Sequence, residues 1–144
     1  MRPYYRDACD DYTRRLKRYA NLSEHEVKEA SHSPTPAAQL AEEAKRLNAK
    51  VAPGSRVVVL TRAGSLWTTR DLSSQVERWQ GAARTVTLVI GGSRGLDPDL
   101  LARAALRWSL GPLTLPHELA RVIVFEQLYR AFTILKGEPY HKGV

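Results

Sequence analysis

The sequence predicts an α/β fold in which a mostly parallel sheet is flanked by helices. Two short apolar runs rich in β-branched residues, at 56–61 and 85–90, are typical of strands buried on both faces. Segments with helical periodicity stand before, between and after these runs, and this alternation is typical of a parallel sheet. The length of 144 residues predicts one domain, spanning 1–144, that can bury a core of its own.

The segment before the first buried strand predicts two helices. Aromatic and apolar residues recur at helical spacing over 3–20, and Pro3 suits the first turn of a helix. Residues 22–30 are a weak strand candidate. The Thr-Pro pair at 35–36 is a good helix start, so we expect the alanine-rich segment behind it to be helical to about Ala52.

The central part of the chain predicts two buried strands with a helix between them. The first strand is RVVVLT at 56–61, and Thr69 is expected to be the N-cap of a helix that continues through Trp79. The second strand is TVTLVI at 85–90. It runs directly into a glycine loop, GGSRG, at 91–95.

The C-terminal part predicts two helices separated by an extended segment. The first helix runs from about 98 to 108, and SLGPLTLPH at 109–117 is extended because its prolines and glycine oppose a helix. The last helix covers 119–135, and its apolar residues occupy more than one stripe, so it must be buried on two sides. It either lies in the middle of the domain or packs against a second copy of the chain, and we favour a homodimer.

The loops at the carboxyl ends of the strands are the first place to expect a ligand. These loops follow Leu60, Ile90 and Leu110. The glycine loop matches neither the dinucleotide fingerprint nor the P-loop, so it either lets backbone N–H groups approach a ligand or merely turns the chain. The segment 109–117 offers an apolar wall with free backbone groups, which suits an uncharged planar ring, whereas His117 is readily explained as a residue at a helix start.

Composition narrows the classes of partner. The formal net charge of +7 favours a polyanion such as RNA, although an ordinary solvated surface explains this charge equally well. The single cysteine, Cys9, excludes an intramolecular disulfide, and the four histidines lack metal-site spacing. No apolar stretch approaches the roughly 20 residues of a membrane helix. We therefore expect a soluble cytoplasmic protein with no membrane and no metal among its partners.

Three motifs resemble one family. VIGGSRGL at 89–96, SLGPLTLPHELARVIVFEQLYRAF at 109–132 and GEPYHK at 137–142 are together similar to the RlmH-type ribosomal RNA methyltransferases of the SPOUT class. The resemblance spans most of the chain and implies a SPOUT-type α/β domain with a C-terminal trefoil knot. It also implies a homodimer, formed through the last helix, that uses S-adenosylmethionine to methylate N3 of a pseudouridine in the large-subunit (23S) RNA of the ribosome.

The resemblance also assigns residues to tasks. It places the cofactor among residues of the three strand-end loops: Leu60, Gly91, Leu110, Gly111, Pro112, Leu113, Thr114 and Leu115. In the C-terminal tail, we expect Tyr140 to stack on or hydrogen-bond to the base, His141 or Glu138 to assist its deprotonation, and Lys142 to meet a phosphate. The alternative is that these residues belong to a frayed terminus with no function. Arg94 and Arg121 are candidates for RNA backbone contacts, with ordinary surface pairing as the alternative.

The family pattern begins with an apolar strand and a glycine turn ahead of the first helix, whereas Met1 of this sequence already stands at that helix. Loss of such a strand is expected to expose a sheet edge and to weaken the fold. Two other functions remain open at this stage. One is a non-catalytic, ribosome-associated RNA-binding protein, and the other is a nucleotide-binding domain that uses the glycine loop for phosphate.

Overall fold

A computed structural model of the protein describes residues 1–142. Its helices are α1 (Pro3–Leu16), α2 (Pro36–Asn48), α3 (Thr69–Gly81), α4 (Pro98–Arg103) and α5 (His117–Leu135). Its strands are β1 (Arg56–Leu66), β2 (Val86–Ile90) and β3 (Leu106–Ser109). The chain forms two compact units: a helical unit with α1, α3 and α5 from Glu118 onward, and a sheet unit of Glu24–Leu66 and Arg84–His117.

The sheet unit contains a parallel three-stranded sheet in the order β2-β1-β3. Val57, Val58 and Val59 of the central strand are at most 5% exposed, which confirms that β1 is buried on both faces. Val57 and Val59 form a core cluster with Val89 and with residues of α2 and α4, so these two helices cover one face of the sheet. The predicted α/β class and parallel sheet are confirmed.

The third strand was not predicted. The sequence predicts a helix over 98–108, but α4 ends at Arg103 and the backbone of Ala104 is extended, with φ −65° and ψ 136°. The Ala105 N–H then donates to the Val57 carbonyl at 2.9 Å, and pairing with β1 follows. Strand pairing has overridden the helical propensity of an alanine- and leucine-rich segment.

Other element boundaries also differ from the predicted ones. Residues 22–30 contain no strand, α1 ends at Leu16 rather than at 20, and α2 ends at Asn48. The N-cap of α3 is Thr68, not Thr69. The Thr68 hydroxyl accepts from the Asp71 N–H, and the Asp71 carboxylate accepts from the Thr68 N–H, which is a complete capping box.

In the helical unit, α5 is the most enclosed helix. None of its residues is fully exposed, and its innermost side chains are Ala120, Val124, Leu128, Tyr129, Ala131, Phe132 and Thr133. The ring of Phe132 stacks on Tyr19 with centroids 5.3 Å apart. The predicted burial of α5 on more than one side is confirmed within a single chain, while its predicted role in a dimer stays a prediction.

The described part of the chain contains neither a membrane-spanning helix nor a metal-binding cluster. No helix within residues 1–142 is long and apolar enough to cross a membrane. Over the same residues, no three histidine, cysteine, aspartate or glutamate side chains cluster in a way that would hold a metal ion.

Candidate active site

Two of the three predicted strand-end loops of the sheet unit, those at 91–95 and 110–115, begin where the parallel strands β2 and β3 end. Leu60 of β1 pairs with Ile90 of β2 and with Trp108 of β3. Gly91 is therefore one residue beyond the paired row, and Leu110 is two residues beyond it. One detail differs from the prediction: β1 does not end at Leu60 but continues, after an irregularity in its pairing with β3, to Leu66.

The glycine loop 91–95 is closed on itself. Gly92 and Gly95 form an antiparallel bridge, with the Gly95 N–H donating to the Gly92 carbonyl at 3.0 Å. A Cβ on Gly91 would collide with the Gly95 carbonyl. The loop's own backbone therefore explains why residue 91 is a glycine, whether or not a ligand approaches it.

Glu29 holds this loop from outside, and sequence analysis did not single it out. Its Oε1 accepts from the Ser93 N–H at 3.2 Å and lies 4.0 Å from Nδ1 of His117. A Cβ on Gly92 would come within 2.7 Å of the same oxygen. The carboxylate thus lies between the glycine loop and the first residue of α5.

Hydrogen bonds fix the loop 110–115 near both of its ends. The Ser109 hydroxyl accepts from the Gly111 N–H at 3.0 Å, and Arg62 donates to the Thr114 hydroxyl at 2.9 Å. Gly111 has φ +117°, and the space that a Cβ would occupy there is empty. Leu113 is 74% exposed. The loop carries no charged side chain, which is compatible with the predicted uncharged planar ring, and that ligand stays a prediction.

The C-terminal tail packs against α5 in the helical unit through Tyr140. Its hydroxyl donates to Oε2 of Glu126 at 2.7 Å, and its ring packs edge-on against Tyr129 with centroids 4.7 Å apart. The guanidinium of Arg130 lies over the same ring, 4.7 Å from the centroid. These contacts place Tyr140 against the helix, so the tail is not frayed at this residue.

Burial and the hydrogen bond between Tyr140 and Glu126 determine the protonation states of these two side chains. Burial, and then the bond to Glu126, raise the pKa of Tyr140, so its hydroxyl is neutral. Burial alone would raise the pKa of Glu126, but the hydrogen bonds from Arg130 and Tyr140 outweigh it and lower that pKa. Glu126 is therefore a carboxylate at neutral pH.

The structure separates the predicted tail residues. His141 lies beside Arg130, with Nδ1 3.2 Å from Nη1. Glu138 instead accepts from the Tyr19 hydroxyl at 2.8 Å and lies 3.6 Å from Arg18, away from that pair. Lys142 is exposed. The structure thus brings Tyr140 and His141 together on Arg130, but it does not bring Glu138 to the same place.

The two arginines predicted to contact RNA differ in their surroundings. Arg94 is exposed at the tip of the glycine loop. Arg121 is half-buried on α5 and has an interaction partner within the chain. Of the two, Arg94 is the more accessible to a phosphate.

Comparison with known proteins identifies the family. The sequence model of the family described as "Predicted SPOUT methyltransferase" matches residues 1–141. The chain belongs to the SPOUT methyltransferase family. A protein of Azotobacter vinelandii named ribosomal RNA large subunit methyltransferase H is 43% identical over 144 residues, covering 99% of this chain and 93% of that protein.

Two other proteins that are similar to this SPOUT methyltransferase carry the same name. The one from Stutzerimonas stutzeri is 41% identical over 144 residues, with 99% of this chain and 93% of that protein covered. The one from Pseudomonas aeruginosa is 52% identical over 101 residues, which are 70% of this chain and 65% of that protein.

Membership of the SPOUT methyltransferase family implies a methyl donor. The residues of the strand-end loops fit a donor that carries an aromatic base. The loop 110–115 presents backbone groups, the exposed side chain of Leu113 and an open space beside Gly111.

Proposed function

We propose that this protein transfers a methyl group from S-adenosylmethionine to N3 of a pseudouridine in large-subunit ribosomal RNA. The observation that carries the proposal is the open, uncharged loop 110–115 at the carboxyl end of the parallel sheet, in a chain of the SPOUT methyltransferase family. The names of the relatives support large-subunit RNA as the substrate. The resemblance of the motif GEPYHK at 137–142 to the RlmH-type methyltransferases is the reason for proposing a pseudouridine.

The cofactor would be held by the sheet unit. Leu60 and the loop Leu110–Leu115 would supply apolar surface and backbone groups for the adenosine, and Gly91 would give the neighbouring loop its closed shape. When bound, S-adenosylmethionine supplies an electrophilic methyl group on a sulfonium sulfur. Since this methyl group is already activated, the residues of the chain have to align the base and help its imide nitrogen lose a proton.

The tail would act on the base. The Tyr140 hydroxyl is occupied by Glu126, which favours stacking over hydrogen bonding as its contribution. Glu138 is occupied by Tyr19 and Arg18, so His141 is the better candidate to assist deprotonation. The exposed cations Arg94 and Lys142 would contact phosphates, and Arg121 would do so only after giving up its present partner.

We also infer that the protein works in the cytoplasm as a homodimer on ribosomal RNA or on the assembled ribosome. Three half-buried apolar residues of α5, Val122, Ile123 and Phe125, support contact with a second copy. The C-terminal trefoil knot of the SPOUT class is part of the same proposal.

Two binding measurements test the cofactor assignment. The protein is titrated by calorimetry with S-adenosylmethionine and, separately, with ATP, in the absence of RNA. We expect binding of the first and not of the second. Binding of ATP alone would instead support a nucleotide-binding domain that uses the glycine loop.

The substrate assignment is tested in cells. Methylated nucleotides are mapped in large-subunit RNA from cells with the gene and from cells without it. We expect one N3-methylated pseudouridine to be lost and to return when the gene is restored. An unchanged map together with binding to ribosomes would favour the alternative of a non-catalytic ribosome-associated protein.

A further inference from the structure

The strand β1 leaves its regular pairing with β3 after Leu60. Leu60 and Ser65 are both partners of Trp108, so residues 61–64 are inserted into β1 between two paired stretches. An insertion of this kind bends a strand and turns its side chains away from the direction that regular pairing would give them. We call residues 61–64 the β1 bulge, and Arg62 lies in the middle of it.

The β1 bulge ends at Gly64, which lies directly against the backbone of β3. A Cβ at this position would come within 2.7 Å of the Arg107 carbonyl carbon and of the Trp108 nitrogen. Backbone atoms of a paired strand cannot swing aside as the end of a flexible side chain can, so only glycine allows β1 to return so close to β3. The position of Arg62 is therefore set by a backbone that is fixed on both sides of the bulge.

The Arg62 side chain contacts the neighbouring loop 110–115. Its Nη1 donates to the Thr114 hydroxyl at 2.9 Å, although the two residues stand 52 positions apart in the sequence. Residues 1–142 give this exposed guanidinium no other hydrogen bond and no ion pair. The contact that orders this long, charged side chain is therefore the one with Thr114.

The loop 110–115 depends on such contacts for its shape. At its beginning, the Ser109 hydroxyl accepts from the Gly111 N–H at 3.0 Å. Its middle is little restrained by packing, because an open space lies beside Gly111 and Leu113 is 74% exposed. A loop that is ordered before its ligand arrives binds more tightly, since less conformational entropy is lost on binding.

We propose that Arg62 is a positioning residue for the cofactor, which acts through Thr114 and keeps the loop 110–115 in the shape that receives the methyl donor. The proposal rests on the function proposed above, which puts the adenosine of S-adenosylmethionine against this loop. Arg62 does not touch the reacting atoms. The β1 bulge gains a task in this way, because it carries the arginine from the central strand to the loop that follows β3.

Calorimetry with S-adenosylmethionine measures what Arg62 contributes to binding. Arg62→Met keeps an unbranched side chain but removes the donors, and we expect it to raise the Kd roughly 10-fold, the scale of one charge-assisted hydrogen bond. Arg62→Lys keeps a donor and should bind more tightly than Arg62→Met. The matched control is Arg78→Met, which changes an exposed arginine on α3 and should leave the Kd unchanged. Equal Kd in the wild type and in Arg62→Met would overturn the proposal.

A second pair of variants shows whether Arg62 acts through Thr114 or contacts the cofactor itself. Thr114→Val removes the hydroxyl that accepts from Arg62, and Thr114→Ser retains it. If Arg62 acts through this bond, Thr114→Val weakens binding as much as Arg62→Met does, Thr114→Ser binds as the wild type does, and the two losses do not add in the double variant. Fully additive losses would overturn the positioning role, since each residue would then contribute separately.

NMR relaxation without cofactor separates this proposal from the proposed function. In the wild type, the backbone order parameters of residues 113–115 should be near the rigid value of about 0.85, and in Arg62→Met they should fall toward about 0.6. Because Arg62 is exposed, urea unfolding of this variant should match that of the wild type. Unchanged order parameters would overturn the proposal. If they fall as expected but the wild type binds no S-adenosylmethionine, Arg62 holds the loop and the proposed function is what fails.

Discussion

At Gly91 the residue type is determined by the backbone of its own loop. The sequence left two explanations for this glycine, the approach of a ligand and a simple turn of the chain, and its position beyond β2 is confirmed. The reason given from sequence was incomplete, because the collision of a Cβ with the Gly95 carbonyl depends on the bridge between Gly92 and Gly95. Glycine spacing alone does not reveal that bridge.

Replacing Gly91 by alanine should therefore destabilise the sheet unit. The new methyl group meets backbone, which cannot swing away, so we expect a loss of about 1–3 kcal/mol in the free energy of unfolding and weaker cofactor binding. The matched control is Gly81→Ala at the end of α3, where nothing lies within 4 Å of the added Cβ. Urea unfolding and calorimetry of both variants are the measurements, and equal stability of the two would contradict the clash.

Hydrogen bonds between residues that are far apart in the sequence are the part of the site that could not be predicted from the sequence. Glu29 bonds to a residue 64 positions away, and Tyr140 bonds to Glu126, 14 positions away. The spacing of Glu126 and Arg130 by four residues predicts an ion pair on a helix, as seen. It does not predict that the pair would also bind the tail.

At the scale of elements, the long periodic segments were predictable and the short ones were not. The strand β1 and helix α5 follow directly from their apolar patterns. The strand β3 has only four residues and exists because Leu106 and its neighbours pair with β1, far away in sequence. The cap at Thr68 had a readable signal, since Asp71 stands three residues later in the pattern of a capping box.

The packing of the tail on α5 should become less stable at alkaline pH. The raised pKa of Tyr140 means that the folded protein keeps the phenol proton, while the unfolded chain loses it near its ordinary pKa of 10.0. The stability from this group is therefore complete below pH 10 and is lost as the pH rises through the raised pKa. The free energy of unfolding should fall more steeply above pH 10 in the wild type than in Tyr140→Phe.

The control for this measurement is Tyr4→Phe, which changes a tyrosine that is 59% exposed. The free energy of unfolding of Tyr4→Phe should change with pH as that of the wild type does, both below and above pH 10. If Tyr140→Phe and Tyr4→Phe gave the same alkaline slope, the bond between Tyr140 and Glu126 would not be what retains the phenol proton.

At the scale of the whole molecule, the net charge bears on binding of RNA, and the arrangement of the strands bears on binding of the cofactor. The alternation of elements predicted the parallel sheet, but the strand order β2-β1-β3 depends on which strands pair in space, and the sequence does not specify this. The net charge of +7 supports a polyanionic partner without locating the surface that meets it. Binding of RNA and binding of cofactor should therefore respond differently to salt.

Binding of ribosomal RNA should weaken steeply with salt, whereas binding of S-adenosylmethionine should change little. Each phosphate contact releases counterions and contributes about −0.7 to −0.9 to the slope of log K against log salt concentration. Arg94→Ala should reduce the slope by about one such contribution, and Arg78→Ala, an exposed arginine on α3, should leave it unchanged. Equal salt slopes for RNA and cofactor would show that the basic surface does not serve RNA.

A mixed dimer decides whether the two protomers share a site. One chain carries His141→Ala, which removes the tail histidine, and the other carries Gly111→Trp, which fills the open space in the proposed cofactor loop 110–115. Each homodimer should be inactive. If the tail of one protomer serves the cofactor loops of its partner, as we expect, the intact tail of the Gly111→Trp chain serves the open loop of the His141→Ala chain, and one of the two sites regains activity. If each tail serves its own protomer, both sites of the mixed dimer are defective, so a mixed dimer that binds one cofactor but methylates no RNA would exclude the shared site.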